Sequence, residues 1–184
     1  MAIREVLTWP DPRLLEVASD VPLVDDAVRA LIDDLFETMY DAPGVGLAAT
    51  QIGVPWRVVV LDTRDDDGEK APLALVNGRI VAREGTILWR EGCLSLPGIT
   101  AEVERSAHIT VEYLDRDGQP QRLEAEGLKA VCIQHELDHL DGQLYVDRLG
   151  RLERKATLLE YEEVQAEGAA EPVVEVDTPE RSAS

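Results

Sequence analysis

The sequence predicts an α+β fold, with small mixed or antiparallel sheets packed around a central helix and one more helix at the C-terminal end. Three observations predict it. Helical segments are legible at roughly residues 26–40, 128–140 and 150–166. Between the first two lie short apolar runs, "WRVVVLDT" and "LALVNGRIVA", parted by the polar turn "RDDDGEK", which is the pattern of buried strands. Further on, "HITVEYLDRDGQPQRLEA" sets Asp117-Gly118 between two strand-like runs, as a hairpin requires. At 184 residues the chain is most simply one globular domain, long enough to bury a core.

In order along the chain, residues 1–24 contain Pro10, Pro12 and Pro22 and read as an extended, irregular arm. Asp25 or Asp26 caps the first helix, where Val28, Leu31, Ile32, Leu35, Phe36 and Met39 form one apolar stripe. The neutral, glycine-containing stretch "APGVGLAATQIG" reads as a loop, and "TILWREGCLSLPGI" runs from a strand into a turn. Gly127 opens the second helix, and Gly142 stands where a C-terminal glycine stops one. Residues 1–166 form the expected domain. Residues 167–184, small, acidic and proline-containing, read as a disordered tail.

Composition excludes several classes. A net charge of −19 argues against broad nucleic-acid affinity. No apolar run reaches the ~18 residues of a membrane helix. Arg4 and Glu5 interrupt the N-terminus where a secretory signal needs an apolar run, so a cytoplasmic location is expected. There the two cysteines, Cys93 and Cys132, are expected as thiols without a disulfide partner.

The chain has 3 histidines, and two of them, His135 and His139, stand one helical turn apart with Glu136 between them. On a helix both imidazoles reach one ion, and Glu136, about 100° round the axis, lies beside any water held there. The central helix is therefore a metal-binding H-E-x-x-H helix. The ordinary alternative is a helix with two satisfied polar histidines. A catalytic ion needs a third protein ligand and an open position. Tyr145 occupies the position of a third histidine in one protease pattern. Glu160 or Glu163 would serve in another, making a zincin-type metalloendopeptidase. His108 lies on an alternating strand. Cys93, in a turn after Gly92, is the better candidate, because it can present a thiolate; Cys132 reads as a buried small residue.

Three segments together, "GVGLAATQ" (44–51), "EGCLS" (91–95) and "QHELDH" (134–139), resemble in order and spacing the signature motifs of bacterial peptide deformylases, and the likeness extends over about residues 3–150. The resemblance implies removal of the formyl group from the N-terminal methionine of new polypeptides. It assigns the metal to Cys93, His135 and His139, the proton carrier to Glu136, and the formyl oxygen to Gln51 and the Leu94 N–H. It implies one divalent ion per chain, natively Fe2+, with Zn2+, Ni2+ or Co2+ as substitutes in purified protein. Val45, Gly46, Gly92, Val131 and Cys132 are the candidates for the substrate wall, with Leu128 and Trp89 nearby. The partners implied are formyl-methionyl nascent chains. A basic stripe of Arg148, Arg151, Arg154 and Lys155 on the last helix would dock transiently on the ribosome, if the helix extends back far enough; a solvated face is the plainer reading.

Overall fold

The computed structural model describes residues 2–168. The expected acidic tail lies, from residue 169 onward, outside the described residues. The first helix, α1 (Asp26–Asp41), starts where Asp25 caps it: the Asp25 carboxylate accepts the Val28 N–H at 3.0 Å. Ile32, Leu35 and Met39 of its stripe are fully buried.

Among the described residues the named strands all pair antiparallel. Five strands, β1 (Gly46–Ala48), β2 (Val58–Leu61), β3 (Leu73–Glu84), β6 (His108–Leu114) and β7 (Pro120–Glu126), form a sheet in the order β1-β2-β3-β6-β7, while β4 (Ile87–Cys93) and β5 (Leu96–Arg105) form a separate two-stranded sheet. The uninterrupted apolar run of β2 has a direct cause. Val58 and Val60 pack toward α1 with Ile32 and Leu35, whereas Val59 and Leu61 pack toward the second helix, α2 (Gly127–Leu140), with Ile133 and Leu137. A strand covered on both faces has no solvent side on which to place a polar residue.

The same geometry makes α2 the centre of the molecule. Every residue from Ala130 to Leu140 is buried, including the polar Gln134, His135, Glu136, Asp138 and His139. The third helix, α3 (Arg151–Ala166), closes a smaller core against β5, where Tyr161 meets Ile99 and Val103. Tyr161 also ties in the N-terminal arm: its hydroxyl donates to the Trp9 carbonyl at 3.0 Å and its ring stands edge-on to Trp9. No helix among the described residues is long and apolar enough to cross a membrane.

Two segments differ from the sequence expectation. "GVGLAATQ" is not a plain loop: it forms the edge strand β1 followed by a 3-10 turn, Ala49–Ile52. After the turn at Leu94 and Ser95, the chain returns as β5, which the sequence does not announce because Pro97 and Gly98 stand at its start. Beyond them the strand signal is present, with Ala101, Val103 and the ion-paired Arg105 buried and Glu102 and Glu104 exposed.

Two glycines in left-handed conformations frame α2, Gly127 at φ +58 and Gly142 at φ +73. A Cβ on Gly127 would meet nothing, but one on Gly142 would collide with the carbonyl of Leu15, where the arm crosses the helix end and the Ala18 N–H donates to the Leu140 carbonyl at 2.8 Å. Gly127→Ala is expected to destabilise by about 1 kcal/mol, the ordinary cost of that backbone region. Gly142→Ala is expected to destabilise clearly more. Urea unfolding of both variants with the same metal loading checks this, and equal losses would mean that the arm yields freely.

Candidate metal centre

The helical spacing of His135 and His139 brings their Nε2 atoms within 3.2 Å of each other. The sulfur of Cys93, at the end of β4, stands 3.3 Å from His139 Nε2. Among the described residues these three donors form the one group that closes as metal ligands do, all within 4.8 Å of one another. Glu160 and Glu163 are exposed on α3, and His108 pairs with Glu126 at the rim of the large sheet. Tyr145, instead of ligating, lies flat against the His135 ring with centroids 6.0 Å apart.

The donor set fits a divalent cation. Glu91 Oε1 lies 2.7 Å from His135 Nδ1, which holds a proton on Nδ1, orients the ring and turns Nε2 toward the other two donors. Burial, and then the charge of His135, hold His139 well below its ordinary pKa, so it stays neutral. Two ring nitrogens and a sulfur turned on one point are the donor types that hold such an ion.

Glu91 is itself held from behind. Both its oxygens accept from Arg105 at 2.8 Å, and Arg105 also donates to Asp138. Asp138 takes two further bonds from Arg148, at 2.6 and 3.0 Å. Burial would raise the Glu91 carboxyl, but Arg105 and then His135 outweigh it and hold it down to about 2. Nothing in residue spacing assigns roles to Glu91, Arg105 or Asp138. One signal was available: Glu91 sits two residues before Cys93 on a strand, hence toward the same side.

Glu136 lies against the cavity with Oε2 buried and unpartnered. Burial pushes its carboxyl up to about 7, with the charge of His135 acting in the opposite direction. Gly46 is required for this placement, since a Cβ there would stand 2.6 Å from Glu136 Oε1. Gln51 is fixed at both ends of its amide: Oε1 accepts the Ala48 N–H at 2.9 Å, and Nε2 donates to Ser95 Oγ at 3.0 Å while lying 3.7 Å from Cys93 Sγ. Ser95 is a further residue that spacing alone does not single out.

One cavity collects the remaining expected residues. Val45 and Gly46 line one side, and Gly92 and Leu94 another. Val131 and Cys132 of α2 form its apolar wall, with Leu128 and Trp89 beside them.

Comparison with known proteins follows the same outline. A family model described as polypeptide deformylase matches residues 3–155. The peptide deformylase of Alkalilimnicola ehrlichii is 54% identical over 168 residues, covering 91% of this chain and 94% of that protein. That of Rhizobium meliloti is 52% identical over 155 residues, covering 84% of this chain and 89% of its own. Among solved structures, a peptide deformylase from Legionella pneumophila superposes with TM-score 0.80 at 44% identity, covering 91% of this chain and all (100%) of that one. One from Synechococcus elongatus in complex with actinonin gives TM-score 0.81 at 42% identity, covering 92% of each chain.

The Glu91–His135 bond generates a prediction. Glu91→Gln keeps an oxygen for the His135 N–H but removes the negative charge that strengthens the imidazole as a donor. Metal affinity is expected to fall about 10–100-fold, as for other groups that orient a ligand. Competition with a chelator measures this; unchanged affinity would reduce Glu91 to a structural partner of Arg105.

Proposed function

The chain belongs to the polypeptide deformylase family, and from that premise we propose which of its own residues carry the reaction. The protein is a hydrolase that removes the N-formyl group from the N-terminal methionine of new polypeptides and releases formate. The observation that carries the assignment of roles is the convergence of Cys93, His135 and His139 beside an unpartnered Glu136 oxygen and the Gln51 amide.

Cys93, His135 and His139 hold one divalent ion. When bound, that ion supplies Lewis acidity, lowering the pKa of water toward neutrality and polarising the formyl oxygen. The ion proposed for the cell is Fe2+, with Zn2+, Ni2+ or Co2+ able to replace it, since a thiolate and two imidazoles suit all of them. Glu136 takes a proton from the attacking water and returns it to the leaving amine. Its position, buried against Gly46, favours both transfers, because a carboxyl raised by burial is a better base and a cation nearby draws it back toward the charged form. The Gln51 Nε2–H and the Leu94 backbone N–H stabilise the developing oxyanion. Ser95 and the Ala48 N–H hold the Gln51 amide in register, so little reorganisation remains for the reaction. Val45, Gly46, Gly92, Val131 and Cys132 receive the methionyl residue. Residues 1–166 are the catalytic unit in this reading, and the cytoplasm, where formylated chains are made, is its proposed location.

A zincin-type endopeptidase is not favoured, because its third ligand would have to come from exposed α3. Ribosome contact remains a proposal on a smaller basis than four residues. Arg148 belongs to a 3-10 turn, Tyr145–Arg148, and is engaged by Asp138, while Arg154 is engaged by Asp147 at 2.8 Å. The proposed contact therefore rests on Arg151 and Lys155, with Leu152 and Leu159 exposed beside them.

Three tests follow from these roles. Glu136→Gln is expected to retain the metal and to lose roughly three orders of magnitude in formate release from formyl-Met-Ala-Ser; near-normal turnover would sink the proton-transfer role. Cys93→Ala is expected to lose tight metal binding, and Glu160→Ala and Glu163→Ala to keep it, as read by metal analysis after dialysis. Reversing Arg151 and Lys155 to Glu should reduce co-sedimentation with ribosomes at low salt while short-peptide hydrolysis stays at the parent level; if the reversed protein pellets as before, α3 is only a surface.

A further inference from the structure

The first residues of the chain line no part of the cavity, yet they are bound at short intervals. The Ala2 N–H donates to Asp34 Oδ1 at 2.7 Å and the Arg4 N–H to Thr38 Oγ1 at 2.9 Å, both on α1. Further on, the Leu7 N–H donates to the Gln51 carbonyl at 2.7 Å, and the Trp9 N–H to the Ser95 carbonyl at 2.8 Å. The Trp9 carbonyl accepts from Tyr161 of α3. After a 3-10 turn capped by Asp11, Pro12–Leu15, the Ala18 N–H reaches the end of α2. The arm is thus tied on both sides of the Leu7–Trp9 segment.

The two middle bonds join parts that share no ladder. Gln51 follows β1 of the large sheet, whereas Ser95 lies in the turn between β4 and β5 of the small one. Toward the metal centre these parts meet through Gln51 Nε2 and Ser95 Oγ, 3.0 Å apart. An amide nitrogen carries two hydrogens. With one given to Ser95, the other is left for the side of Cys93 Sγ, 3.7 Å away. A single side-chain bond would let the two parts pivot. The main-chain pair removes that freedom, because Leu7 and Trp9 are two residues apart and span at most about 7 Å. Leu7, Gln51 and Ser95 are buried, where an opened N–H or carbonyl is costly.

We propose that Leu7 and Trp9 are positioning residues: through their backbone N–H groups the arm sets the distance between Gln51 and the Leu94–Ser95 turn. That distance fixes where the Gln51 amide and the Leu94 N–H converge. The inference rests on the oxyanion roles proposed for those two groups. Tyr161 holds the Trp9 end of the strap from α3.

The test compares formate release from formyl-Met-Ala-Ser by proline and alanine variants at equal metal loading. Leu7→Ala and Trp9→Ala truncate the side chain and keep the N–H; Leu7→Pro and Trp9→Pro also remove the N–H. Each proline variant is expected to show kcat about tenfold below its alanine counterpart, since an ångström of misplacement can cost up to about 100-fold. KM and metal content should stay within about twofold, the signature of an interaction made in the transition state. Gln51→Ala alone is expected to lose about 100-fold or more in kcat. On that background the proline-to-alanine ratio should shrink to about two, because the donor that the arm places is gone. An identical ratio in both backgrounds would mark a general loss of folded protein and overturn the inference. Should the proline variants fail to fold, Tyr161→Phe decides: it frees the Trp9 carbonyl, and kcat is expected to fall about two- to threefold at unchanged KM, a parental kcat overturning the inference. In the zinc-loaded parent the Leu7 and Trp9 amides are expected to exchange as slowly as those of β2; exchange as fast as at a frayed terminus means that the arm opens too freely to set a distance. Equal kcat for proline and alanine variants overturns this inference alone. Parental kcat in Gln51→Ala overturns the role proposed for Gln51 and this inference with it.

Discussion

The buried ion pair between Arg105 and Glu91 is the interaction on which the rest depends. Both side chains are almost fully buried, and Glu91 connects the proposed metal ligand His135 to the β4–β5 sheet. Isolated, either charge would destabilise the interior by several kcal/mol. The arrangement tolerates them because it closes: Glu91 and Asp138 supply two negative charges, Arg105 and Arg148 two positive ones, and each carboxylate receives at least three hydrogen bonds. Burying α2 on all sides would otherwise leave Asp138 and His135 without partners. The network is thus the condition under which a polar helix can sit at the centre of the molecule.

That central position follows in turn from the sheet. β2 separates two apolar layers, so α1 and α2 cover opposite faces of the same strands and leave the face of α2 that carries His135 and Glu136 directed toward the gap between β1 and β4. The gap persists because glycines allow close approach at its walls. At Gly44 a Cβ would stand 2.9 Å from Leu94 Cδ1, and at Gly46 it would displace Glu136. One oxygen of Glu136 is left unpartnered in the gap, near the Gln51 amide that Ala48 and Ser95 hold, and both are groups to which the proposed reaction assigns a role.

Much of this was legible in the sequence where the signal is local. α1, α2, α3 and the β6–β7 hairpin depend on caps, periodicity and a turn glycine, all readable within a dozen or so residues. The histidine pair was legible because a helix fixes its spacing. β1 and β5 were not, since a three-residue edge strand has no period and Pro97-Gly98 disguises the start of the other. The supporting residues were hidden for a different reason. Arg105 reaches Glu91 across 14 positions and Asp138 across 33, distances at which only the folded hairpin brings charges together. The basic stripe illustrates the converse error, because helical spacing groups Arg148 and Arg154 by face and is blind to the carboxylates that already hold them.

The division of the proposed ligands between α2 and β4 has an energetic consequence. His135 and His139 come from one rigid helix, but Cys93 comes from a two-stranded sheet that the larger sheet does not extend. An ion held by all three ties these parts together, and the unfolded chain offers no such site, so its binding free energy adds to the stability of the fold. The Arg105–Glu91–His135 chain makes the same link through charge, a few ångströms behind the ligands. Two such ties between the same elements would let the proposed ligand Cys93 stand at the end of a two-stranded sheet and still meet the helix at a fixed distance. Cys93 also puts the end of β4 beside the proposed metal centre, so the same strand supports the site and lines its cavity.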